Sequence, residues 1–316
     1  MLLDELLERR LLVLTGKGGV GKSTLGLALA LAARRRGKRV LLVEIDAPVD
    51  ASRRLGGHPS GSGESEILPG LFATNLRPLE VMDEYVRHAV RVDLLVRRIL
   101  EAPVYHRFFA AAPGLKELMV LGKVLILEEA RDRWSRRPRY DLIVLDAPAT
   151  GHGLSLLSVP VAAAQAAPVG PVGRNARKIL ELLRDPRRTA LGLVAIPEEM
   201  AIVEVIELHG SLKAGRFPSR AVFLNACHER RFTEQQEATI LRLSARGSRG
   251  RLEGRIGLEG ALLAARRQIR RRRLTRVYEA RLRRSLPLPL ARLPFLYGDA
   301  MGLGALESLS ERLEGA

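Results

Sequence analysis

One nine-residue run constrains this chain more than any other: Gly16-Lys17-Gly18-Gly19-Val20-Gly21-Lys22-Ser23-Thr24. It satisfies G-x-x-x-x-G-K-[ST]. A short apolar run, Leu11 to Leu14, precedes it, and a helical pattern from Lys22 to Arg36 follows, ended by Gly37. Val40 to Ile45 is a second apolar run. Strand, glycine loop, helix, strand makes a βαβ unit, whose two strands lie parallel in one sheet. Glycines let backbone N–H groups close around phosphate oxygens where a Cβ would block them. The N-terminus of the next helix adds the positive end of its dipole. Lys22 is expected to reach the β- and γ-phosphates, and the Ser23 hydroxyl to ligate Mg2+. The expected ligands are ATP and Mg2+, held by the whole run from Gly16 to Thr24.

The rest of the chain is read from its periodicity and its breakers. Residues 56–70 are rich in Gly, Ser and Pro and read as a connector. Residues 80–135 carry helical spacing, divided by Pro103 and Pro113-Gly114 into two or three helices. Tyr140 to Leu145 is a strand buried on both faces. Residues 154–215 read as mostly helical, Arg220 to Leu224 as a fourth strand, and 233–284 as helix with a glycine-containing break near 247–260. Pro287 to Phe295 leads to a last strand, and Ala305 to Leu313 is a terminal helix. The expected fold is α/β: a doubly wound, mostly parallel sheet forming one domain over residues 1–316. Helical insertions at about 78–136 and 154–215 are expected to lie together on one side.

Three further segments make a resemblance specific: Val40-Leu41-Leu42-Val43-Glu44-Ile45-Asp46 with Ala47-Pro48, Asp146-Ala147-Pro148-Ala149-Thr150-Gly151-His152, and Phe223-Leu224-Asn225. With the glycine loop they resemble the ArsA-type P-loop ATPases, which include arsenite-pump ATPases and tail-anchored-protein targeting ATPases. The likeness extends from residue 11 to about 300. It implies an ATPase in which Asp46 orients and activates the attacking water. Asp146, ending an apolar strand, would hold Mg2+ directly or through water. Thr150-Gly151-His152 would be the moving part of a second switch. Asn225 would hydrogen-bond adenine, and Pro294 would flank the base. Lys17 gives the loop its deviant Walker A form. In proteins of that form two subunits face each other and this lysine reaches the partner's nucleotide, so a homodimer is implied. The insertions would form the client side, serving a membrane pump or a hydrophobic protein segment.

The chain also departs from that pattern. Its single cysteine, Cys227, cannot make a three-thiolate arsenite site, and Cys227-His228-Glu229-Arg230 lacks the second thiol of a shared zinc clamp. An iron–sulfur role fails on the same count. Only five methionines are present, few for a flexible Met-rich groove, although Leu, Val and Ala in residues 80–130 and 154–210 could still line one or simply form core. The family's Asp-Pro-Ala-His run is Asp46-Ala47-Pro48-Val49 here. The first ten residues lack a signal-peptide pattern and no apolar stretch is long enough to span a bilayer, so a cytoplasmic location is expected.

The net charge of +17 raises a different possibility, a positioning or partition ATPase of the ParA/MinD kind that binds DNA or membrane. Arginine is spread through the chain but concentrates in residues 261–284. There Leu262, Ile269, Leu274, Val277, Tyr278 and Leu282 could face a core while arginines face out. This helix reads either as a solvated face or as a surface for anionic lipid or nucleic acid.

Overall fold

The computed structural model describes residues 2–55, 57, 61, 63–90, 92–147, 153–247, 256–297 and 302–315. Its strands are β1 (Leu11–Thr15), β2 (Val40–Ile45), β3 (Ser65–Leu68), β4 (Leu71–Leu76), β5 (Leu142–Asp146), β6 (Thr189–Ala195), β7 (Ser219–Cys227) and β8 (Leu290–Pro294). They form one sheet in the order β3-β4-β2-β5-β1-β6-β7-β8. Every neighbouring pair is parallel except β3 with β4. The helices of the first half are α1 (Leu2–Leu7), α2 (Lys22–Arg35), α3 (Ala51–Arg54), α4 (Pro78–Ala89), α5 (Asp93–Glu101), α6 (Pro103–Ala111) and α7 (Leu115–Glu129). Those of the second half are α8 (Gly153–Ala166), α9 (Gly170–Arg184), α10 (Glu199–Ala214), α11 (Glu234–Gly247), α12 (Ile256–Ser285) and α13 (Leu303–Glu314).

The central strands are buried on both faces, so they read as unbroken aliphatic runs and two cores form. Alternate residues Leu12, Leu14, Leu42 and Val144 pack with α1, α2 and α13 on one face. Leu11, Val13, Leu41, Val43, Ile143 and Leu145 pack with α7, α8, α9 and α10 on the other. The α/β doubly wound expectation holds. Among the described residues no helix is long and apolar enough to cross a membrane.

Four local expectations need correction. The helical reading of 154–215 hides β6, a central strand between β1 and β7. Its residues TALGLVA are all buried, so no alternation betrays a strand, and pairing to β1 and β7 decides the matter. The Gly/Ser-rich connector contains β3, which turns at Gly70 into the unforeseen strand β4. The region 80–135 holds four helices, with an additional break between Ala89 and Asp93 and an irregular segment after Glu129. On α12, Ile269 and Leu282 are buried, but Leu274 and Val277 point outward at 36% and 58% exposure. The inner face of α12 runs instead through Thr275, which is fully buried and donates to the Arg271 carbonyl.

Candidate functional site

The sheet order places β5 between β1 and β2, with Leu14 level with Asp146 and Val43 level with Leu145. The carboxyl ends of all three strands therefore meet at one crevice, where ligands of open α/β sheets bind. A cavity of about 640 Å³ lies there, lined by Gly19, Gly21, Lys22, Ser23, Thr24, Asp46 and Asp146.

The glycine loop is shaped by close approach. A Cβ at Gly16, φ 151°, would stand 2.2 Å from the Val194 carbonyl oxygen of β6. One at Gly21, φ 88°, would stand 2.3 Å from the Asn225 amide nitrogen. Both positions thus exclude a side chain by contact as well as by backbone conformation. Gly21 leads directly into α2, whose first N–H groups have no side-chain cap. Lys22 is buried and curls back over the loop, its Nζ donating to the carbonyls of Gly16 (3.0 Å) and Lys17 (2.9 Å). Burial lowers its pKa, and the charges of Asp146 and Glu204 oppose that fall.

Asp146 is also buried, and desolvation raises its pKa against the Ser23 hydroxyl bond and the Lys22 charge. Its Oδ1 has no hydrogen-bond partner among the described residues. A buried, unpaired carboxylate oxygen beside a serine hydroxyl is a hard-oxygen donor set that suits Mg2+. Among the described residues no group of three His, Cys, Asp or Glu could hold a metal by itself. A divalent cation here would have to draw its remaining oxygens from phosphate and water.

Asp46 follows β2 directly with φ 46°, a left-handed conformation that Asp adopts more readily than most residues. It lies in the field of Arg77 and Lys116. Three contacts fix the loop that carries it. Asp46 N donates to the Leu76 carbonyl at 3.1 Å. The Asn75 side chain accepts from Ala47 N and donates to Ala47 O, both at 2.9 Å. Glu44, fully buried inside β2, accepts from Ala51 N at 2.7 Å. Burial pushes the Glu44 carboxyl up to about 7, opposed by that backbone bond and by Arg54.

The remaining sequence candidates divide. Lys17 faces its own chain, with Nζ 3.9 Å from Glu204 of α10. Gly18 is exposed, and Val20 is buried beneath the loop. Asn225 sits behind the loop, donating to the Val20 carbonyl at 2.9 Å. Pro294 does not line the phosphate-loop cavity; it borders a second one of about 610 Å³ with Cys227 and Arg292. Thr150, Gly151 and His152 lie outside the described residues. Sequence reasoning missed Arg54, Lys116 and Glu117, which line the main cavity from α3 and the start of α7. It also missed Glu44 and Asn75, although an acid inside a buried strand is itself a signal.

The model of the anion-transporting ATPase family matches residues 9–168, just over half of the chain. The ATPase BagA of Mycobacterium tuberculosis is 29% identical, the alignment covering 96% of this chain and 92% of that protein. An arsenical pump-driving ATPase of Escherichia coli is 29% identical over 67% of this chain and 34% of its own length. The ATPase GET3B of Arabidopsis thaliana is 26% identical, over 69% of this chain and 64% of that one. Nothing among these relatives supports the positioning or partition alternative.

Proposed function

This chain belongs to the anion-transporting ATPase family, and from that premise we propose that it hydrolyses ATP with Mg2+ as a nucleotide-gated homodimer. The observation that carries the reading is the convergence of Lys22, Ser23, Asp46 and Asp146 on one cavity. Phosphoryl transfer is mostly positioning and charge control, and these residues supply both. The loop amides and Lys22 hold the β- and γ-phosphates, for which Lys22 gives up its two carbonyl partners. Asp46 orients the attacking water from the opposite wall. Ser23 and Asp146 would hold Mg2+, which would neutralise the developing phosphate charge. Lys17 exchanges its exposed pairing with Glu204, a contact worth little in water, for the partner subunit's nucleotide.

The work done by that cycle is transport or targeting. The insertion helices favour an apolar client. Leu94, Leu95, Ile99 and Val104 of α5 and α6 are 71%, 48%, 36% and 72% exposed, as is Val92 (52%) just before them. Uncovered aliphatics clustered in this way mark a surface meant for contact.

Mg-dependent turnover of purified protein tests the reading. Asp46→Asn is expected to lower kcat by about 100-fold while leaving ATP binding in place. Lys22→Ala should lose binding and turnover together. Near wild-type turnover in Asp46→Asn would remove that residue from the mechanism.

A further inference from the structure

The longest helix of the chain carries a surface that ATP hydrolysis does not use. α12 spans 30 residues, about 45 Å of helix. Its inner line, through Ile269, Thr275 and Leu282, is buried. Its outer line is Leu263, Arg267, Arg270, Leu274 and Val277, spaced i, i+4, i+7, i+11 and i+14, which is one helix face. The three aliphatics there are 48%, 36% and 58% exposed. Arg266, Arg271, Arg273 and Arg276 flank them and are exposed too. Acids do not balance this charge. Among the described residues, the arginines of α12 form ion pairs only through Arg273 with Glu237 and Arg283 with Glu279, and Glu279 is shared with Arg292 of β8.

We propose that this outer face of α12 docks on an anionic lipid surface, lying in the interface with Leu263, Leu274 and Val277 entering the acyl boundary. The charge excess is complementary to acidic headgroups, and the whole chain carries +17. Long arginine stems lie along apolar surface while their guanidinium groups stay with phosphate. The aliphatic residues decide against nucleic acid. They occupy the outermost line, where they would be pressed against phosphate and sugar, and no aromatic side chain stands among them for base stacking. A second copy of the chain would bring the same arginines, and the two faces would repel.

Flotation of the full chain with vesicles tests this. Binding is expected to vesicles of phosphatidylcholine mixed with phosphatidylglycerol, not to phosphatidylcholine alone, and to weaken with added salt. Each arginine near the surface contributes about fivefold to partitioning, so R266Q/R267Q/R270Q should lose on the order of 100-fold. L274S/V277S should also reduce vesicle binding, while leaving ATPase turnover and any affinity for a short DNA duplex unchanged. All these side chains point outward, and an unchanged Tm verifies that both variants fold. Failure to bind the anionic vesicles, or wild-type partitioning in both variants, overturns the proposal. So does a DNA affinity that falls in the arginine variant while vesicle binding does not.

Discussion

Two helices of this chain, α2 and α5, are buried to opposite extents. α2 follows the glycine loop and hides ten of its fourteen residues, including every side chain from Leu25 to Ala33. α5, in the insertion, hides only Val96 of nine, and Leu94 and Leu95 stand largely in solvent. Both sequences are rich in aliphatics, so composition does not separate them. What separates them is covering: α2 is enclosed by the sheet and by α13, whereas α5 touches mainly the helices beside it. The nucleotide end is a frame whose geometry must be fixed before phosphate arrives. The insertion leaves apolar area uncovered.

Mutation can break that contrast, and the core should respond most. Leu29→Ala in α2, at a fully buried position, is expected to cost about 2 to 5 kcal/mol in chemical denaturation. A cost under about 1 kcal/mol would mean that the frame is looser than its burial implies. The next effect is in pH and belongs to Glu44. Its carboxyl is raised from the usual 4.5 to about 7 in the folded chain. Below pH 4.5 both folded and unfolded forms hold the proton. Above it the unfolded carboxyl ionises first, so folding stability falls until about pH 7 and then levels off. The loss should be on the order of 3 kcal/mol. Glu44→Gln should abolish that part of the slope, with Tm near wild type at pH 4 and above it at pH 8. A Tm profile identical in both proteins would remove Glu44 from this account. The smallest effect belongs to α5 and α6: Leu94→Ser with Val104→Ser should shift stability by less than about 0.5 kcal/mol. The same pair should nevertheless weaken binding of an apolar fluorescent probe such as ANS. A large loss of stability instead would show that this surface is core.

Legibility in the sequence follows the same divide. The glycine loop, Asp46 and Asp146 were readable because each sits at the end of an aliphatic run, and the strand register brings them together. β6 was not, since TALGLVA has no alternation and only its neighbours make it a strand. β4, as long as β2, was hidden by the Gly-rich stretch before it and by Thr74 and Asn75, which break its aliphatic run. Lys116 and Glu117 were invisible as site residues because they reach the cavity only through the packing of α7. Leu274 and Val277 were assigned to the inner face because an aliphatic residue on a long helix is usually inside. Here the buried line passes through a threonine instead.

The run of α7 across the molecule has a mechanical consequence. At its start, Lys116 and Val120 border the phosphate cavity. At its end, Glu128 is buried between Arg10, at 3.3 Å, and Arg188, the residues that precede β1 and β6. Arg10 also bonds the Glu128 carbonyl at 2.8 Å. Glu128 is buried while both arginines reach partly into solvent, so removing them would leave a buried carboxylate unpaired, and that end of α7 is pinned. A shift at the cavity end would then be passed on to α4, α8 and α9, which pack on the same rod.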